Sequence, residues 1–151
     1  MGLDMYLYKK TYVQNWEHTN KKDRYQINIT KGGMPTSIKA ERITYITETV
    51  KSWRKFNALH AWFVGNVQGD LDNCADYYIE TEKLEELIKL LGKIENDNSL
   101  APELLPTQSG FFFGDTDYDE YYFEQITNTK QILISLLVED CDGDFYYSSS
   151  W

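Results

Sequence analysis

Two histidines, His18 and His60, and two cysteines, Cys74 and Cys141, are the side chains of this 151-residue chain that titrate nearest to neutrality. Two histidines exclude a multi-histidine metal centre, and the four residues together show no ligand-pair spacing, so no metal is expected. Asp140, Asp142 and Asp144 surround Gly143, but an EF-hand calcium loop needs its glycine at the sixth position and a bidentate glutamate at its end. The segment reads as an acidic hairpin turn. The sequence holds no phosphate-cradling Walker loop, no G-x-G-x-x-G, no G-x-S-x-G elbow and no H-E-x-x-H, and implies no cofactor. Among general acids and bases His60 alone is suited to neutral pH, with Asp4 or Asp119 as orienting carboxylates if the fold brings them together.

His60 recurs with large apolar side chains at spacings of three and four, which predicts a helix from about residue 48 to 67. At 100° per residue Trp53, Asn57, His60 and Val64 lie within about 60° of one another, so two polar groups project from an apolar stripe. Two readings follow. Asn57 and His60 are core residues bonded to backbone or tyrosine hydroxyls, or they line a ligand pocket flanked by Arg54 and Lys55. A second candidate is the string from Leu105 to Gly114: Thr107, Gln108 and Ser109 offer three consecutive hydrogen-bonding side chains, and Phe111 offers a ring for stacking. A plain structured turn explains it equally well. Tyr118, with Tyr121, Tyr122 and Phe123, reads mostly as core, with phenol groups at its edge.

The elements that must carry these residues follow from periodicity. Leu3, Met5 and Leu7 alternate with Asp4, Tyr6 and Tyr8, the pattern of a half-buried strand. Residues 9–37 form a long basic excursion, expected to be mobile, with one short strand over 26–30. Strands are also expected over 42–46, 75–79 and 145–147, and a buried strand or tight segment over 111–113. Helices are expected over 81–95, with Leu84, Leu87, Ile88, Leu91 and Ile94 buried, and over 117–138. The order lacks βαβ alternation, which predicts an α+β fold: one domain over 1–151, a mainly antiparallel sheet covered by about three helices.

Composition bounds the partners. The chain is 42% hydrophobic and 15% aromatic, which suits a packed core rather than disorder. No apolar run reaches the ~20 residues of a spanning helix and no signal segment opens the chain, so a cytoplasmic protein is expected, with both cysteines as free buried thiols. Tyr6 stands where an N-myristoylation motif needs Ser or Thr. The net charge of −9 argues against membrane and direct nucleic-acid binding. It is unevenly spread: residues 1–60 hold 11 of the 15 Lys/Arg, and residues 61–151 hold 19 of the 24 Asp/Glu. Either both are solvated faces of one domain, or an anionic small ligand is to be sought near the first sixty residues and a basic protein near the rest.

The strings Met1-Gly2-Leu3-Asp4-Met5-Tyr6-Leu7, Trp53-Arg54-Lys55 with Asn57, His60, Trp62 and Phe63, the 105–114 segment, and Asp117-Tyr118-Asp119-Glu120-Tyr121-Tyr122 resemble a family of small bacteriophage and prophage proteins. The resemblance implies a context rather than an activity. Small stand-alone phage accessory proteins often counter host defence, one strategy being a sponge that sequesters the nucleotide signals of Thoeris or CBASS systems inside the bacterial host cell. The leading expectation is a non-catalytic binder of such a signal: Arg42, Arg54 or Lys55 neutralises phosphate, Tyr6, Trp53 or Phe111 stacks on the base, and Asn57, His60, Gln108 and Ser109 read polar edges. The alternatives are an acidic inhibitor or DNA mimic of a basic host protein and a small nucleotide-processing enzyme using His60. Homo-oligomerisation fits any of the three.

Overall fold

The computed structural model describes residues 2–139 and 142–151. In β1 (Asp4–Tyr12), Met5 and Leu7 are fully buried while Tyr6 and Tyr8 keep partial exposure, the alternation expected from residues 3–8 but prolonged to Tyr12. The excursion therefore starts at residue 13, and Lys9, placed in it by sequence, is a buried strand residue. A minimal hairpin follows, β2 (Thr30–Lys31) and β3 (Met34–Pro35), turning on Gly32 and Gly33 at φ 59° and 77°. Both turn positions need positive φ, which glycine supplies without a steric penalty. Of the strand expected over 26–30 only Thr30 is realised. Arg42 ends a 3-10 turn (Ala40–Arg42), so the strand expected to begin there begins at Tyr45 instead.

The largest correction concerns the helix expected from 48 to 67. Residues 45–54 form β4 (Tyr45–Arg54), paired antiparallel along the whole of β1, and α1 spans only Asn57–Asn66. Thr47, Thr49 and Val50 are β-branched and fit a pleated surface, and β1 offers an open ladder that pairs every residue of the segment but Val50. The chain then passes through Lys55 at φ 55°, a left-handed conformation that no continuous right-handed helix contains. The three-residue step from Trp53 to Phe56 mimicked helical spacing across a strand-to-helix joint.

Beyond α1 come β5 (Tyr77–Ile79) and α2 (Thr81–Asn96), whose Leu84, Leu87, Leu91 and Ile94 are fully buried, as their spacing predicts. A single turn, α3 (Ala101–Leu104), interrupts the expected loop over 96–106. Of the two readings of residues 111–113 the structure has the tight segment, a turn, and not the buried strand, and Phe111 is 94% exposed. A buried strand needs its backbone groups paired, and of the flanking ladder only Leu3 N–H donating to the Phe112 carbonyl exists. α4 (Glu120–Val138) starts after the expected Asp117 because Asp119 caps it, its carboxylate accepting from Tyr122 N–H at 2.9 Å. β6 (Gly143–Ser150) closes the chain.

The four main strands form one antiparallel sheet in the order β4-β1-β6-β5, an α+β domain. On one face Trp53, Leu7, Phe145 and Tyr147 join the helical residues Leu59, Phe63, Leu84, Leu91 and Leu133 in the core, with Phe63 and Tyr147 stacked at 4.0 Å. The opposite face carries Tyr6, Tyr8, Tyr45, Tyr78 and Tyr146 with at least partial exposure. Among the described residues no helix is long and apolar enough to cross a membrane. Cys74, in the loop between α1 and β5, is a free thiol but exposed, contrary to expectation, since that loop lies outside the apolar layer. Asp140 of the acidic turn and Cys141 lie outside the described residues.

Candidate functional site

Asn57 opens α1 and is almost wholly buried, yet each polar atom of its side chain has a partner on the 105–118 segment. Its Nδ2 donates to the carbonyls of Phe113 (3.0 Å) and Asp115 (2.8 Å), and its Oδ1 accepts from Gln108 N–H (2.8 Å). The segment's own side chains add to the clamp. Thr107 donates its hydroxyl to the Thr116 carbonyl and its backbone N–H to the Tyr118 hydroxyl oxygen at 3.1 Å, and Tyr122 donates to the Leu105 carbonyl at 2.8 Å. Burial pushes the Tyr122 phenol well above its ordinary value. Asn57 is therefore a positioning residue that shapes the loop, with both amide hydrogens spent on it.

The N-terminus joins the same construction. Lys55 N–H donates to the Leu3 carbonyl at 2.7 Å, and Leu3 N–H to the Phe112 carbonyl at 3.0 Å. The Lys55 stem runs between two glycines: a Cβ at Gly114 would lie 3.0 Å from Lys55 Cβ, and one at Gly2 would lie 3.1 Å from Lys55 Cε. Gly114 also stands at φ 84°, where a side chain is strained. The strings at the N-terminus, at 53–63, at 105–114 and at 117–122 thus meet in one place.

What they enclose is an open cleft of about 240 Å³. Arg54, Lys55, Asn57, Thr107, Asp115, Asp117 and Asp119 line it, together with Tyr121, 54% exposed. Asp115 and Asp119 each spend one oxygen on local backbone, accepting from Asp117 N–H and Tyr122 N–H. Arg54 lies 3.9 Å from Asp4 in an exposed pair, too weak to hold the guanidinium against a competing anion. The alternation Asp115-x-Asp117-x-Asp119 was the overlooked signal, because a period of two in an irregular segment suggests no shared face until the loop is folded.

The sequence candidates divide. Arg54, Lys55, Asn57 and Thr107 come together at the cleft. Gln108 adjoins a separate depression beside Trp62 and Leu104, Ser109 and Phe111 are exposed, and Tyr118 packs edge-on against Tyr122 at 5.1 Å. Tyr6 lies on the outer sheet face, stacked on Tyr8, and Arg42 ends the 3-10 turn ahead of β4. Trp53 is buried on β4, not on α1, and its indole N–H donates to Thr129 at 2.8 Å, so its ring has no free face for a base.

His60 belongs to the core. Its Nδ1 lies 2.7 Å from the Tyr147 hydroxyl and its Nε2 3.0 Å from Asp72, whose second oxygen accepts from the Trp151 indole at 3.1 Å. The arrangement satisfies every atom when Nε2–H donates to the carboxylate and Nδ1 accepts from the phenol. Neither Asp4 nor Asp119 takes the orienting role. Burial first, then the Asp72 charge, pushes the Tyr147 phenol far above its ordinary range, and with His60 itself 1% exposed no substrate reaches the imidazole. No family model, curated protein or solved structure matches the chain.

Proposed function

We propose that the protein is a non-catalytic binder whose cleft between Lys55 and the Asp115–Asp119 row takes a nucleotide-derived ligand. The observation that carries this reading is the pairing, across one opening, of two cations with a row of carboxylates beside an exposed aromatic ring. Arg54 and Lys55 neutralise a phosphate. The carboxylates accept from ribose hydroxyls or from exocyclic amino groups, and Tyr121 replaces Trp53 and Phe111 as the stacking ring. About 240 Å³ is below the roughly 300–1,000 Å³ of sites that engulf a drug-sized ligand. One nucleotide unit sits inside, and a cyclic dinucleotide or ADP-ribose derivative extends its second half over the rim. The resemblance to phage accessory proteins supplies the setting, in which the ligand is a host immune signal.

Isothermal titration with mononucleotides, cyclic dinucleotides and ADP-ribose derivatives tests it. Saturable binding, weakened at least tenfold by Lys55→Glu, is expected, with each ligand recovered intact. Flat traces across the panel overturn the reading.

A further inference from the structure

β4 lies at the edge of the sheet. Its inner side pairs with β1, and among the described residues no strand pairs with its outer side. The first five residues, Tyr45 to Thr49, and then Ser52 and Arg54 are exposed, Val50 and Lys51 are half-buried, and Trp53 is buried, Lys51 and Trp53 being bonded to Asn128 and Thr129 of α4. An edge strand whose outer backbone groups have no partner strand is a template for another strand.

The side-chain order of β4 says which strand. Its register against β1 breaks between Leu7 and Tyr8, which face Lys51 and Thr49, leaving Val50 as a bulge. An extra residue reverses the alternation. Tyr45, Thr47, Thr49, Ser52 and Arg54 therefore share the outer sheet face, and Ile46, Glu48, Lys51 and Trp53 share the core face. Without the bulge residues 48 and 51 would point to opposite sides.

Folded about a two-fold axis through the bulge, this strand matches itself. Antiparallel pairing of β4 with β4 of a second copy sets Glu48 opposite Lys51, Thr47 opposite Ser52, Ile46 opposite Trp53 and Tyr45 opposite Arg54, each pair on one face. Symmetry makes every pair twice. Directly opposite side chains in an antiparallel ladder lie about 5 Å apart, within reach of an ion pair or a cation over a ring. We infer that the β4 edge is a homodimer interface, in which the Val50 bulge places Glu48 and Lys51 on the same face so that two copies pair them reciprocally across a two-fold axis.

The bulge itself argues for this occupant over an unrelated peptide. A bulged edge normally resists pairing, because a regular strand cannot follow its bend. A second copy carries the same bend at the axis. Ten residues a side is a small contact beside the ~800 Å² per partner of standard interfaces, so the dimer is reversible and salt-sensitive.

Sedimentation velocity over a dilution series, at low and high salt, tests the inference on the full chain. The wild type is expected to shift from dimer to monomer on dilution, and earlier at high salt. Glu48→Lys and Lys51→Glu singly set like charges opposite each other and should each shift the monomer–dimer midpoint at least tenfold towards monomer. The double swap E48K/K51E should recover most of the wild-type midpoint. Glu48 is exposed, so Glu48→Lys is expected to keep the wild-type thermal melt, whereas Lys51 also donates to Asn128 at 2.7 Å and its variants are read with their melts alongside. A wild type monomeric at every concentration overturns the inference. So do single variants that dimerise as well as wild type, or a folded double swap no better than the singles. Neither Glu48 nor Lys51 lines the cleft, so ligand titration of the same variants is read separately from their dimerisation, Arg54 being the one residue common to both surfaces.

Discussion

The two polar clusters of this protein sit on the same helix, α1 and its N-terminal joint, and differ in how completely their hydrogen bonds close. Around His60 the chain Trp151–Asp72–His60–Tyr147 links the C-terminus, the 67–76 loop and the sheet, and every imidazole atom that can bond does so. At the cleft one turn earlier, each polar atom of Asn57 likewise has a partner, but the charges it helps to assemble remain at the surface with capacity to spare. Saturation marks structure; unspent charge on a rigid rim marks a place for a ligand. A polar residue on an apolar stripe is thus a weak sign of a site, because burial forces it to find partners whether or not a ligand exists.

Truncating the buried cluster should have the largest effect. His60→Ala removes the partner of both the Tyr147 hydroxyl and Asp72 and opens a cavity in the core, so it is expected to cost about 3 kcal/mol, read as a shift of the urea midpoint with unchanged slope. Ligand affinity of the folded fraction should stay at wild type. A variant with native stability and lost binding would reverse the comparison.

Asn57→Ala should cost somewhat less stability, about 2 kcal/mol for three bonds whose backbone partners regain water in part. Unlike His60→Ala it should also weaken ligand binding, since the loop carrying Asp115 is released; equal affinity in the two variants would separate the loop from the site.

Alkaline titration probes the buried phenols. Tyr122 and Tyr147 both titrate higher in the folded state than in the unfolded chain, so the unfolded state loses protons first. Their contribution is fully present below about pH 10 and declines above it, by about 1.4 kcal/mol per pH unit for each phenol. Tyr122→Phe should therefore lower overall stability while flattening the fall between about pH 10 and 12. An unchanged slope would mean that the phenol ionises as freely in the fold as outside it.

The smallest stability change belongs to Lys55→Glu, within about 0.5 kcal/mol because its charge is at the surface, set against the tenfold loss of affinity expected of it. Large instability there would mean that the stem between Gly2 and Gly114 matters more than the ammonium.

Much of the fold was legible from local pattern alone. The alternation of Leu3, Met5 and Leu7 and the stripe Leu84-Leu87-Leu91-Ile94 state their structure because each face meets one environment along its whole length, so period and burial coincide. The class, an antiparallel sheet with helices on one face, follows from those segments in order. Arg54, Lys55, Asn57 and Thr107 were likewise visible as residue types unusual for their neighbourhood.

Residues 48–54 were not legible, because Trp53 and Phe56 carry helical spacing and only the full-length ladder of β1, distant in sequence, outweighs it. The role of Asn57, the exposure of Phe111, the partner of His60 and the convergence of Lys55 with Asp115, Asp117 and Asp119 all depend on contacts across tens of residues. Local sequence determines which surfaces a segment must bury. Which distant segment it buries them against, and so which charges end up facing each other, is decided by the packing of the whole chain.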